Sequence, residues 1–149
     1  MVDQATERTT IMASPDKCFE AAIAFERYPE WAADIKEATV LSRDDRGRAV
    51  DVDYRAAAMG RSTTYTLRYF YGSNPLRLAW RLQRGDSTRR LDGEYEFLPV
   101  EGDPDSTEVV YHLAVDLVIS LPGFVKRRAE ARIVHTALHE LKAHVESMG

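Results

Sequence analysis

Between residues 38 and 119 the chain alternates apolar and polar side chains in one short run after another. Beyond residue 121 that period gives way to another. The alternating runs are 38–43, 49–59, 63–71, 76–82, 91–97 and 109–119. In the second, Val50, Val52, Tyr54 and Ala56 share one side and Asp51, Asp53 and Arg55 the other. In the fifth, Leu91, Gly93, Tyr95 and Phe97 stand opposite Asp92, Glu94 and Glu96. Successive side chains of a strand point to opposite faces, so each run reads as a strand with one buried face. The runs are separated by turn clusters: Asp44-Asp45-Arg46-Gly47, Gly60, Gly72-Ser73-Asn74-Pro75, Gly85-Asp86 and Gly102-Asp103-Pro104-Asp105. Links this short join antiparallel neighbours, and the apolar face of the resulting sheet has to be covered.

The cover is the last segment, about 121–147. Ser120 and Pro122 mark its start, and nothing after Gly123 breaks a helix. At about 100° per residue, Val134, Ala137, Leu138, Leu141, Val145 and Met148 form one apolar stripe. A single helix covers so wide a sheet only by lying across its concave side, the curvature coming from strand twist. The N-terminal part adds a strand at 5–12. Next comes a helix with Ser14 as N-cap and Pro15 at its first position, with Cys18, Phe19, Ala22 and Ile23 on one face. Pro29 ends that helix near Tyr28 and starts a short second one within 25–33. The expectation is one α+β domain over residues 1–149: seven antiparallel strands, two short helices after the first, and a long C-terminal helix.

This order resembles the helix-grip fold of the StAR-related lipid-transfer and birch-pollen-allergen superfamily, in its polyketide cyclase/dehydrase-like and coenzyme Q-binding branch. Three places carry the resemblance: Ala13-Ser14-Pro15-Asp16-Lys17-Cys18-Phe19, Tyr28-Pro29-Glu30-Trp31, and Leu121-Pro122-Gly123-Phe124-Val125-Lys126-Arg127. It implies a cavity between sheet and C-terminal helix holding lipids, sterols, quinones or polyketides in different members, some carriers and some cyclases.

Composition removes other classes. A formal net charge of −4, with short basic clusters set among acids, leaves no footprint for nucleic acid. No stretch approaches the ~20 apolar residues of a membrane span. Residues 1–8 lack the apolar core of a secretory signal, so a cytoplasmic location is expected. Cys18, the sole cysteine, excludes an intrachain disulfide and falls on an apolar stripe, a core position.

The residues expected at a ligand site are Tyr54, Tyr65, Tyr69, Trp80 and Tyr95 on its wall, beside Tyr71 and Tyr111 on the same face, and Trp31, read either as a cover for its entrance or as a packing anchor. They would stack on an apolar ligand while a few hydroxyls orient it, or else simply pack the core. Arg127 and Glu130 extend the helix stripe toward its start, three residues apart. They are read either as polar groups at the cavity mouth or as a solvated overhang. The partner expected is a hydrophobic small molecule, with no cofactor and no metal. In His139-Glu140-Leu141-Lys142-Ala143-His144, one residue too many rotates the second histidine off the shared face of a zinc motif. His135 and His139 have the right spacing but point away from the stripe. His112 falls on the outward face of the last strand. Asp34 and Asp116 lie nearest the apolar segments, without an evident partner. The function expected is binding or carriage, with a polyketide aromatase/cyclase or dehydratase as the alternative.

Overall fold

A computed structural model describes residues 3–58, 61–118 and 122–148. Met59, Gly60, Ile119, Ser120 and Leu121, named above for a turn, a strand end and a helix start, lie outside the described residues. The strands are β1 (Asp3–Ile11), β2 (Ile35–Val40), β3 (Asp51–Ala58), β4 (Arg61–Ser73), β5 (Leu76–Gly85), β6 (Thr88–Val100) and β7 (Asp103–Leu117). They form one curved antiparallel sheet in the order β1-β7-β6-β5-β4-β3-β2. Helix α1 (Pro15–Ile23) and a 3-10 turn, η1 (Phe25–Glu30), follow β1, and α2 (Gly123–Met148) ends the fold. This is the helix-grip architecture that the resemblance implies.

The local signals act as read. Ser14 Oγ accepts the Lys17 N–H and Pro15 opens α1. The second helix forms as the 3-10 turn, with Pro29 inside it. β2 differs from the expected 38–43. It begins at Ile35, passes a register shift between Ile35 and Glu37, and ends with Val40 opposite Val52; past it the Leu41 N–H donates to the Asp51 carbonyl, the Val50 N–H to the Ser42 carbonyl, and Arg43 and Ala49 form an isolated bridge.

The core lies between the concave face and the helices. From α2, Val134, Leu138, Leu141 and Val145 enter it, meeting Ile11, Leu78, Phe97, Val109 and Leu113 from the sheet. Met148, expected on the same stripe, is exposed in the last turn, past the core. α2 runs closest to β1 and is fastened at both sides of its C-terminal half. Glu140 Oε2 accepts the Ala33 N–H at 2.9 Å, and Glu146 Oε2 accepts the Met12 N–H at 2.9 Å. At its start, Lys126 Nζ donates to Asp116 Oδ1 at 2.9 Å. Asp116 thus has a partner that sequence spacing had not supplied. Cys18 is fully buried, as expected, and burial pushes its thiol up, away from the thiolate a nucleophile needs.

Candidate ligand site

The concave face is paved with aromatic rings because the alternation places every second residue of β3 to β7 inward. Tyr54 comes from β3, Tyr65, Tyr69 and Tyr71 from β4, Trp80 from β5, Tyr95 and Phe97 from β6 and Tyr111 from β7. Tyr54, Tyr69, Trp80, Tyr95 and Tyr111 are buried; Tyr65 and Tyr71 are partly so. Ring centroids follow one another across the sheet: Tyr54 to Tyr65 at 5.4 Å, Tyr69 to Trp80 at 6.1 Å, Trp80 to Tyr95 at 5.4 Å, Tyr95 to Tyr111 at 4.6 Å. Phe25, on η1, closes onto Tyr69 at 4.1 Å. Gly93 makes this paving possible. A Cβ there would stand 2.6 Å from the His112 carbonyl oxygen and 2.7 Å from Trp80 Cζ2, so the indole lies where a side chain would be.

The hydroxyls divide into two sets. Tyr54 and Tyr69 bond each other at 2.6 Å, Tyr28 donates to the Ala22 carbonyl at 2.5 Å, and Tyr71 donates to the Ala49 carbonyl at 2.6 Å. The hydroxyls of Tyr65, Tyr95 and Tyr111 bond to no other described residue. Burial raises the tyrosine phenols throughout; Tyr71, less enclosed, is pushed up to about 12. Every one therefore stays protonated at neutral pH. They can donate or accept a hydrogen bond but cannot act as phenolate bases.

Trp31 sits at the end of η1, partly buried. Its indole stacks on His144 of α2 at 5.0 Å and 9°, and meets Tyr28 edge-on at 5.0 Å. Its Nε1–H is shielded from solvent and has no hydrogen-bond partner among the described residues. Burial lowers the His144 imidazole below its usual value, favouring the neutral ring that stacks. Together with the Glu140–Ala33 bond, this stack straps the segment after η1 onto α2.

Arg127 and Glu130 are separated by the fold. Glu130 is 2% exposed and continues the buried stripe one turn before Val134, whereas Arg127 is exposed, with its guanidinium near Gly123. A buried carboxylate and an outward guanidinium are not presented to the interior together. His135 and His139 are exposed, as expected from their side of the helix; their rings stack at 6.1 Å and His135 contacts Glu7. Sequence reasoning missed the roles of Tyr28, Phe25 and His144. Only Tyr28 carried a signal, its place in the Tyr-Pro-Glu-Trp segment.

Two depressions are described besides this interior. One of about 680 Å³ lies on the outer face of the sheet around Ala79 and Ala114, and one of about 290 Å³ lies beside η1 with Arg27, Arg43, Arg46 and Arg48 at its rim. Among the described residues no helix is long and apolar enough to cross a membrane.

Residues 3–146 match the sequence family described as polyketide cyclase / dehydrase and lipid transport. Among solved structures, a START superfamily protein from Mycobacterium smegmatis is similar at a TM-score of 0.89 and 22% identity, covering 98% of this chain and 99% of that one. A Thermus thermophilus protein is similar at 0.83 and 22%, covering 99% of each. The Zhui aromatase/cyclase of a Streptomyces is similar at 0.81 and 15%, covering 98% of this chain and 94% of that one. At these identities the likeness is one of fold. No curated protein matches by sequence.

Proposed function

Because the chain belongs to the polyketide cyclase / dehydrase and lipid transport family, we propose that it holds a hydrophobic small molecule between the concave face and α2: a lipid, a quinone or a polyketide-like compound. The observation that carries this reading is the aromatic face with three protein-free hydroxyls, those of Tyr65, Tyr95 and Tyr111. Such a lining removes apolar ligand surface from water, worth about 2.5 kcal/mol per 100 Å² before the costs of ordering. The hydroxyls then fix the orientation of one or two ligand oxygens. Trp31, Tyr54, Tyr65, Tyr69, Trp80 and Tyr95 form the proposed wall, with Glu130 at the N-terminal end of α2. Arg127, exposed, is left at the rim. Trp31 and His144 are the contact to be parted when ligand enters.

Native mass spectrometry of the purified protein, followed by organic extraction, tests the reading. A defined adduct that disappears on denaturation is expected. N-phenyl-1-naphthylamine, an apolar fluorophore, should bind as well, with affinity cut at least several-fold in Trp80→Leu and unchanged in Arg127→Ala. If wild type carries no adduct and binds no fluorophore, the carrier reading fails.

The second reading, an aromatase/cyclase, draws on Glu130. In that reading the buried Glu130 carboxylate exchanges a proton with the acidic carbon of a β-ketone, while a tyrosine hydroxyl polarises the carbonyl. Turnover of a β-polyketone by wild type, lost in Glu130→Gln with fluorophore binding intact, would move the protein to that class.

A further inference from the structure

On the opposite face of the sheet, the register of β6 and β7 draws three metal-binding side chains together. Glu94 stands directly across from His112, and Glu96 follows two residues on, on the same outward face. One ligand atom from each lies within 4.8 Å of the others. Donors shared by one transition-metal ion sit about 2.0–2.2 Å from it, so they are themselves about 3–4 Å apart. His112 Nε2 and Glu96 Oε1 are already at 3.4 Å.

The imidazole is also oriented from behind. β1 pairs with β7 so that Thr6 faces His112, and Thr6 Oγ1 lies 2.9 Å from Nδ1. A histidine that ligates through one nitrogen is held at the other in the same manner. Arg77 contacts one Glu94 oxygen, and the other oxygen remains for an ion. The charges of Glu94, Glu96 and Arg77 sum to a net −1, which favours a cation over an anion there. The three side chains are 28–39% exposed, accessible yet held by the ladder. Glu94 and His112 also line the outer hollow of about 680 Å³, which gives room for coordinated water.

We propose that Glu94, Glu96 and His112 form a binding site for one borderline divalent transition-metal ion of the zinc class on the outer face of the sheet. One imidazole and two carboxylates suit such an ion better than magnesium or calcium, which prefer all-oxygen shells. The site is separate from the aromatic interior and does not depend on what that interior holds.

Zinc titrated calorimetrically into the full chain at pH 7.5 should bind one equivalent, and cobalt should give a visible d–d band at the same stoichiometry. His112→Ala and Glu96→Gln, each confirmed folded by circular dichroism, should weaken zinc at least tenfold. Thr6→Val, which removes only the orienting contact, should weaken it roughly tenfold. His135→Ala/His139→Ala, which removes the spaced pair on α2, should leave it unchanged. No zinc bound at millimolar concentration overturns the proposal. So does binding that survives His112→Ala and Glu96→Gln but is lost in the helix double variant.

Discussion

Adding one methyl group at Gly93 tests the packing on which the proposed ligand wall rests. The new Cβ of Gly93→Ala would meet the His112 carbonyl oxygen at 2.6 Å, and Trp80 Cζ2 and Cε2 at 2.7 and 3.0 Å. The carbonyl belongs to β7, which is paired on both sides and cannot move without opening a ladder. The indole can retreat only against Tyr69, Tyr95 and Tyr111, whose rings are 5.4–6.1 Å away. Overpacking of this kind costs about 1–3 kcal/mol. Replacing a strand glycine would by itself return about 0.5–1 kcal/mol. Because one of the clashing atoms is backbone, the net should fall near the upper end, about 2–2.5 kcal/mol. At ~2–4 °C per kcal/mol for a chain of this size, calorimetry should record a Tm lower by about 4–10 °C. Trp80→Leu relieves two of the three contacts. The Gly93→Ala/Trp80→Leu variant should therefore be at least about 1 kcal/mol more stable than the summed single effects allow. A Gly93→Ala protein within about 0.5 kcal/mol of wild type, or strict additivity, would refute the argument that the indole occupies the glycine's missing side chain.

Tyr54→Phe leaves the Tyr69 hydroxyl buried without its partner and should cost about 1–3 kcal/mol in urea unfolding, whereas Tyr54→Phe/Tyr69→Phe should cost less than the two singles combined. His144, lowered in the folded protein, binds fewer protons there than when unfolded. Wild-type stability should accordingly fall as the pH drops from about 6.5 toward the folded value, and the Tm of His144→Phe, which keeps a ring against Trp31, should gain on wild type from pH 8 to pH 5. Asp116, lowered chiefly by its hydrogen bond from Lys126, contributes stability above its unfolded value of about 3.9 that is lost as the pH falls through the folded value. The advantage of wild type over Asp116→Asn in acid titrations followed by circular dichroism should be full at neutral pH and vanish in strong acid.

The strands and α2 were legible because each buries a single face, and a single buried face writes its period into the chain. Even Gly93 could be assigned its inward position, although nothing in the sequence says that Trp80 fills the space above it. What stayed hidden depends on register. His112 is 16 and 18 positions from Glu96 and Glu94 across a turn, and the pairing that unites the three includes two register shifts that no local rule supplies. The Trp31–His144 stack joins segments more than a hundred residues apart. Arg127 and Glu130 share a helical face by spacing, yet one is exposed and the other buried, a difference set by what packs against each and not by the spacing. Asp116 gained a partner from the chain's return into α2, not from its neighbours in β7.

If the proposed function holds, the place of α2 in chain order has a consequence for how a ligand enters. Synthesis proceeds from the N-terminus at about 5–20 residues per second, so the 26 residues of α2 follow β7 over roughly 1–5 s. Until they arrive, Tyr54, Tyr69, Trp80 and Tyr111 line an uncovered trough, and Trp31 has no His144 to rest on. Under the proposed function, a compound present at that moment would meet the face directly, whereas one arriving later would have to part a closed seam. Loading during synthesis and loading after release would then be two routes with different barriers to the same ligand-bound state.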